Sequence, residues 1–146
     1  HTTDISTSAL LQRAFNLYIR EGFWTSHFNF MYENYKQRYE KVINALDRFG
    51  SDKIKYSKPG GGLNIWLTLP GGLPVNTLLK VCAANNVVFA PGRIFYSDST
   101  STRFNNIRIS FAATCIDQIE EGISKLCASI DTLDNREQQY RNLPIL

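Results

Sequence analysis

The stretch GGGLNIWLTLP at residues 60–70 decides the fold that the sequence predicts. Its leucines and isoleucine alternate with Asn64, Trp66 and Thr68, and glycines or proline bound it on both sides. Alternation with a period of two is the pattern of a strand that buries one face, and Gly and Pro interrupt regular structure. The stretch therefore predicts a strand with one face in a core.

Two further strands are predicted on the C-terminal side of this one. Residues 107–111, IRISF, repeat the alternation, with Arg108 and Ser110 on the face opposite the apolar residues. Residues 87–90, VVFA, form a short apolar run before a Pro-Gly pair, which is typical of a short buried strand. We therefore expect Arg108 to point away from the core side of its strand.

Apolar residues at helical spacing predict four helices around these strands. The first two come before Gly50 and are separated near Gly22. The third follows Pro74, and the last follows Thr114 and is expected to fray over the polar run 131–141. The order helix, helix, strand, helix, strand, strand, helix predicts an α+β domain, with a small antiparallel or mixed sheet and helices packed on one face.

The composition is that of an ordinary globular protein. A chain of 146 residues with 43% hydrophobic and 20% charged residues fits one soluble domain. The formal net charge of +3 is too small to predict a nucleic-acid-binding stripe. Because no run approaches the roughly 18 apolar residues that span a bilayer, and the first residues have no signal-peptide pattern, we expect a soluble, cytoplasmic protein with no membrane partner.

The cysteines and histidines predict neither a metal site nor a hydrolase. Cys82, Cys115 and Cys127 each lie in a stretch that is predicted to be buried, and none belongs to a C-x-x-C motif, so reduced core thiols are expected. His1 and His27 have no partner at metal-ligand spacing. No Ser/His/Asp or Cys/His set is recognisable, so an independent hydrolase activity is disfavoured.

Arg108 is the main candidate for a binding residue. An arginine on the polar face of a strand most simply forms a surface or interdomain ion pair. The alternative is capture of a ligand carboxylate, because the guanidinium is a planar, permanently charged fork that can form two parallel hydrogen bonds with it. The residues alone leave both interpretations open.

Two other binding sites are disfavoured by their sequence context. The glycines at 60–62 do not form a phosphate-binding loop, because a strand follows them and not a helix with Lys and Ser or Thr. The two N-terminal helices do not match a DNA-reading helix-turn-helix, because the apolar stripe of the second runs along its full length. Packing explains that stripe better.

An ordered set of motifs along the chain resembles one known family. The motifs are H-x-x-x-M-x-x-x-Y-x-x-R beginning at His27, then GGGLNIWLTLP, FAPGRIF, NNIRISFA and IEEGISKL. Their order, from about residue 8 to residue 130, is similar to the C-terminal part of fold-type I aminotransferases, and most similar to the MocR-type regulators of the GntR family. The resemblance implies an aminotransferase-like small C-terminal domain, preceded by a long interdomain helix.

The resemblance also implies a binding site. In the family, the arginine of the strand motif R-[IL]-S-F binds the α-carboxylate of the substrate or effector, and this arginine corresponds to Arg108. Gly61, Gly62 and Phe95 correspond to positions near the cofactor cleft. Family members work as dimers with pyridoxal 5'-phosphate between a large and a small domain.

The resemblance places several parts of such a protein upstream of this chain. They are the lysine that binds the cofactor covalently, the Asp at the pyridine nitrogen, the aromatic residue that stacks on the ring and the DNA-binding domain of the regulators. Residues 1–22 are then a helix continuing from a large domain, and residues 23–146 are the small domain. We expect no catalytic residue and no stably bound cofactor in this chain itself.

Three functions for the complete protein remain open. The first is a GntR/MocR-type transcriptional regulator that binds pyridoxal phosphate and an amino-acid effector. The second is a pyridoxal-phosphate-dependent aminotransferase acting on an amino acid, and the third is a free-standing ligand-binding or dimerisation module. The expected partners are the large domain of the same protein, an amino acid, a second copy in a homodimer, and DNA only through a further domain.

Overall fold

The structure, a computed structural model, describes residues 8–97 and 105–141. The elements of these residues are α1 (Ala9–Arg20), α2 (Phe23–Phe49), β1 (Lys55–Tyr56), β2 (Asn64–Thr68), α3 (Val75–Ala84), β3 (Ala90–Pro91), a 3₁₀ turn (Gly92–Phe95), β4 (Asn106–Ser110) and α4 (Ile116–Arg141). The predicted α+β class is confirmed, although β1 and the 3₁₀ turn are additions to the predicted order. None of these helices is long and apolar enough to cross a membrane.

The chain divides into two compact units, residues 1–36 and residues 37–146, called here the N-terminal and C-terminal units. No described residue of the N-terminal unit is buried. Its rings contact one another in pairs, with centroids 5.7 Å apart for Phe15 and Trp24 and 5.8 Å apart for Tyr18 and Phe23. Many large apolar side chains stay exposed, including Leu10, Leu11, Phe15, Leu17, Ile19, Phe23, Trp24, Phe28 and Phe30. The described part of this unit thus has an apolar surface and no core of its own.

A four-stranded antiparallel sheet organises the described part of the C-terminal unit, with strand order β1-β2-β4-β3. The central strands β2 and β4 pair Ile65 with Ile109 and Trp66 with Arg108. Residues directly opposite each other in an antiparallel pair lie on the same face. The isoleucines therefore share one face of the sheet, and Trp66 and Arg108 share the other.

The core lies between the apolar face of the sheet and helices α2, α3 and α4. Buried and less buried residues alternate along β2 and β4, as their sequence predicts. The largest fully buried side chains come from both strands and helices: Leu46, Ile65, Leu67, Leu78, Cys82, Ile107, Leu126, Cys127 and Ile130. The face that carries Arg108 is thus the side of the sheet away from this core.

Arg38 in α2 joins the helix to the end of β4. The guanidinium of Arg38 is part-buried and donates a hydrogen bond to the backbone oxygen of Ala112. Ala112 follows Phe111, whose ring centroid is 6.1 Å from that of Tyr39. A polar and an aromatic contact therefore hold α2 against the strand that carries Arg108.

The last helix is longer than predicted. The expected fraying over residues 131–141 is wrong, because α4 continues to Arg141. Leu133 and Asp134 are buried, and the Asp134 carboxylate accepts hydrogen bonds from Lys53 Nζ at 2.6 Å and Gln138 Nε2 at 2.7 Å. These contacts offset the polar composition of the run and keep it helical.

The edge strand is shorter than predicted. Of the run 87–90, only Ala90 belongs to β3, which pairs Ala90 with Arg108 and Pro91 with Ile107. Val88 is 77% exposed, so the expectation of a buried strand over the whole run is wrong. An apolar run shows that its residues prefer burial, but it does not show how far an edge strand stays paired.

Two of the three cysteines are buried as predicted, and the third is not. All three are free thiols, and Cys115 is exposed because it lies in the turn just before α4, outside the helix's apolar stripe. Burial raises the pKa of the Cys127 thiol to about 11 and also raises the pKa of Cys82. The buried thiols are thus poor nucleophiles at neutral pH.

Candidate functional site

Arg108 lies on a central strand of the sheet, on the face opposite the core. Its neighbours Ile107 and Ile109 are 0% and 8% exposed, so the strand alternation turns Arg108 to the other face. On that face it lies between Trp66 of β2 and Ala90 of β3, its register partners on either side. The predicted orientation of Arg108 is confirmed, and strands on both sides fix its backbone.

The guanidinium group of Arg108 stacks on an aromatic ring. Its central carbon is 4.4 Å from the ring centroid of Phe95, which is a cation–π distance. The Nε atom is shielded from solvent and has no hydrogen-bond partner among residues 8–97 and 105–141. A buried N–H without an acceptor costs about 1–3 kcal/mol, so this environment favours a ligand that brings an acceptor.

Arg108 has no protein carboxylate beside it in the part of the chain that the structure describes. The ion pairs found there join other residues, namely Arg48 with Glu120, Lys53 with Asp134, Lys58 with Asp47 and Lys125 with Glu121. Of the two forms of the simpler interpretation, a surface ion pair is therefore not formed within residues 8–97 and 105–141, and an interdomain ion pair involves residues outside this chain.

Three aromatic residues next to Arg108 form a group that we call the aromatic cluster: Trp66, Phe95 and Tyr96. The ring centroid of Trp66 is 5.7 Å from that of Phe95 and 6.2 Å from that of Tyr96, both in edge-on geometry. Sequence reasoning missed Trp66 as a site residue. The available signal was a large aromatic side chain at a position where an alternating strand carries polar residues.

Gly92 lets the 3₁₀ turn that carries Phe95 approach β4. A Cβ atom on Gly92 would lie 2.7 Å from the backbone oxygen and 2.8 Å from the Cβ of Asn106. Real Cβ atoms almost never make such short contacts, so a larger residue would force the backbone apart. The sequence PGRIF therefore brings Phe95 over Arg108 because its glycine permits a close approach.

The side-chain amide of Asn106 lies beside the aromatic cluster and forms hydrogen bonds with its neighbours. Asn106 Nδ2 donates to Thr68 Oγ1 at 2.9 Å, and the Tyr96 hydroxyl donates to Asn106 Oδ1 at 3.4 Å. These bonds engage the side chain of Asn106 as both donor and acceptor. In the described part of this face, Arg108 is the charged donor next to the cluster.

Gly61 and Gly62 lie in the bend before β2. Both are exposed, and a Cβ atom on either would meet no atom of the described residues within 4 Å. They precede Trp66 by five and four residues along the chain. The structure therefore brings Phe95 and Arg108 together, while a cleft-lining role for the two glycines stays a prediction.

The described residues do not by themselves fit pyridoxal phosphate, the cofactor that the resemblance implies. Lys53 Nζ is bound to Asp134 at 2.6 Å and Lys58 Nζ to Asp47 at 3.1 Å. Lys55 lies on the edge strand β1, separated from β4 by β2. No lysine of the described strands is a register neighbour of Arg108, and we assign no step of cofactor chemistry to these residues.

Individual known proteins match the chain over most of its length, although no family model matches it. An aromatic-amino-acid aminotransferase from Thermococcus litoralis is 30% identical over 129 residues, which cover 88% of this chain and 30% of that protein. An uncharacterised HTH-type transcriptional regulator of Bacillus subtilis, YisV, is 27% identical over 121 residues, which cover 83% of this chain and 24% of that protein.

The fold also matches solved structures. The alpha-aminoadipate aminotransferase LysN of Thermus thermophilus, solved with N-(5'-phosphopyridoxyl)-L-leucine, superposes with a TM-score of 0.77 at 28% identity. The match covers 91% of this chain and 33% of that chain.

Fold and sequence together define an aminotransferase-like chain. Its relatives are aminotransferases and HTH-type regulators, and its structural neighbours are fold-type I aminotransferases, so the resemblance to this group is confirmed. More narrowly, the chain corresponds to one part of such proteins, since it spans about 30% of the aminotransferase and 24% of the regulator.

Proposed function

We propose that the chain is the small, ligand-closing domain of a longer pyridoxal-phosphate-dependent protein, in which Arg108 binds the carboxylate of an amino acid. The observation that carries the proposal is the environment of Arg108: its guanidinium stacks on Phe95, and the described residues provide neither an acceptor for its Nε nor a carboxylate that pairs with it. A ligand carboxylate supplies the missing acceptor, and a guanidinium can bind it through two hydrogen bonds.

The neighbours of Arg108 prepare it for this role. Phe95 stacks on the guanidinium and Trp66 contacts Phe95, which restricts the rotation of a long side chain before a ligand arrives. Ordering a side chain on binding costs about 0.5–1.5 kcal/mol, and an arginine that is already held avoids part of that cost. The cofactor, held by the rest of the longer protein, supplies the group that reacts with the amine of the amino acid.

The apolar surface of the N-terminal unit supports a place inside a larger protein. Side chains such as Leu10 and Phe30 are 77% and 67% exposed, and an accumulation of large exposed apolar side chains is typical of an interface. We propose that this surface packs against the large domain of the same protein, and that the complete protein is a cytoplasmic homodimer.

The complete protein is, in our proposal, a transcriptional regulator. HTH-type regulators recur among the relatives of this chain, including TauR of Rhodobacter capsulatus. Binding of an amino acid would favour a closed small domain, and closure would change the affinity of a separate DNA-binding domain. The alternative, an aminotransferase, is favoured by the 30% identity to the Thermococcus litoralis enzyme and by the solved structures.

The test uses the longer protein that contains this chain. A regulator shows amino-acid-dependent DNA binding without transamination, and an aminotransferase shows transamination without a DNA-binding domain. In either case Arg108→Ala should abolish the response to the amino acid and leave the cofactor absorbance and, for a regulator, the ligand-free DNA affinity unchanged. Retention of the amino-acid response in Arg108→Ala would refute the proposed role of Arg108.

A further inference from the structure

The surface next to the Arg108 guanidinium is aromatic and partly open to solvent. Phe95 and Tyr96 are 44% and 42% exposed, although both pack against Trp66. A cation on a rigid strand is thus bordered by an apolar shelf, formed by Phe95 and Tyr96, that a ligand bound to the cation can cover.

We infer that the Arg108 site selects carboxylates that carry an apolar or aromatic body, in preference to short carboxylates and to dicarboxylates. The inference rests on the proposed function, because it assigns the ligand class of the same site. A ligand whose carboxylate bonds to the guanidinium places its next few carbon atoms within reach of the shelf. The specificity-determining residues are therefore Phe95 and Tyr96, with Trp66 as the residue that positions them.

The preference follows from burial of aromatic surface. A benzyl group laid on Phe95 removes apolar area of both partners from water, and an aromatic pair adds a further attraction in edge-on or offset geometry. We expect an aromatic carboxylate to bind about five- to tenfold more tightly than a short aliphatic one. A second carboxylate on the ligand gains nothing from this shelf.

Lys55 and Arg93 are the two cations that would bind the second carboxylate of a dicarboxylate if the inference were wrong. Lys55 pairs with Thr68, so it lies on the same face of the sheet as Arg108 but two strands away. Arg93 is exposed in the 3₁₀ turn. A dicarboxylate that bound Arg108 and either of these cations would bind more tightly than an aromatic monocarboxylate.

The experiment titrates the longer protein that contains this chain with 3-phenylpropanoate, propanoate, glutarate and the uncharged 3-phenylpropanol at matched ionic strength. Binding is followed by NMR through the side-chain Nε–H of Arg108 and the indole N–H of Trp66.

The variants separate the cation from the shelf. Arg108→Ala should remove binding of all the carboxylates, whereas Phe95→Ala should reduce the preference for 3-phenylpropanoate over propanoate to less than about twofold. Tyr140→Ala is the matched control, because Tyr140 is a 71% exposed aromatic residue near the end of α4. It should leave the preference unchanged.

The outcomes distinguish this inference from the proposed function. Preference for 3-phenylpropanoate that depends on Phe95 supports the inference. Equal affinity for all carboxylates, still dependent on Arg108, overturns the inference and leaves the function standing. Preferred binding of glutarate that is lost in Lys55→Gln or Arg93→Gln also overturns the inference and leaves the function standing. Carboxylate binding that does not depend on Arg108, or no carboxylate binding, overturns both.

Discussion

The guanidinium carbon of Arg108 lies 4.4 Å from the ring centroid of Phe95, and the two residues belong to different elements, β4 and the 3₁₀ turn Gly92–Phe95. Their contact depends on how closely the turn approaches the strand. That approach is possible because position 92 has no side chain and lies against Asn106. Stability and site geometry are therefore linked at Gly92.

Gly92→Ala should destabilise the protein and displace Phe95. The added methyl group would lie 2.7 Å from the Asn106 oxygen, so we expect the free energy of unfolding to fall by about 1–3 kcal/mol in urea denaturation. Gly122→Ala is the control, because a Cβ atom there meets nothing within 4 Å inside α4, and Ala should stabilise the helix by about 0.5–1 kcal/mol. Equal effects of the two substitutions would contradict the close packing at Gly92.

Lys53→Met should destabilise the protein more than Arg48→Met. Lys53 pairs with Asp134, whose side chain is only 7% exposed, whereas Arg48 and Glu120 are 70% and 45% exposed. Removing Lys53 leaves a buried carboxylate without its cation, at a cost of about 1–3 kcal/mol, while an exposed pair contributes about 0–1 kcal/mol. Urea denaturation of both variants tests this difference, and a larger effect at Arg48 would count against the burial of Asp134.

Stability should fall at high pH because of Tyr56. Burial and the hydrogen bond to Asp47 raise the pKa of Tyr56 to about 12. A tyrosine in the unfolded chain titrates near pH 10, so the folded protein holds a proton that the unfolded chain releases. The contribution of Tyr56 is complete below about pH 10 and is lost as the pH rises to about 12.

The measurement is the free energy of unfolding as a function of pH. Tyr56→Phe should decline less steeply than the original protein over this range, and Tyr140→Phe, at an exposed site, should not differ from it. The idea fails if Tyr56→Phe and the original protein show the same slope.

Stability should also fall at low pH, because of Asp47. The hydrogen bonds that Tyr56 and Lys58 donate to its carboxylate lower the pKa of Asp47, so its contribution to the free energy of unfolding is lost as the pH falls.

Thiol reactivity should separate Cys115 from the other two cysteines. Cys115 is exposed, while Cys82 and Cys127 are buried and have raised pKa values. An aromatic disulfide reagent at neutral pH should titrate one thiol rapidly in the folded protein and the remaining two only after unfolding. Cys115→Ser should remove the rapid phase, and a rapid phase that persists in this variant would show that the buried thiols are accessible.

The central strands and the orientation of Arg108 could be predicted because they depend on local patterns. Alternation in GGGLNIWLTLP and IRISF gives one buried face to each strand, and it leaves Arg108 on the other. The resemblance to a known family adds Phe95. It does not reveal that Phe95 stacks on Arg108, which requires the close approach at Gly92.

The features that were mispredicted or missed depend on contacts between distant residues. The end of α4 stays helical because Asp134 meets Lys53, which lies 81 positions earlier in the sequence. Trp66 belongs to the site because the register of β2 and β4 sets it opposite Arg108. Local propensity and spacing contain no information on such pairings.

The most direct test of the central claim is a thermodynamic cycle in the longer protein. It combines mutation of Arg108 with removal of the carboxylate from the ligand. Affinity is measured for an amino acid and for the corresponding amine that lacks the carboxylate, with the original protein, Arg108→Ala and the control Arg93→Ala. We predict that Arg108→Ala weakens the amino acid by about 2–5 kcal/mol and leaves the amine unchanged, and that Arg93→Ala affects neither strongly. Equal losses for the amino acid and the amine in Arg108→Ala would contradict the account.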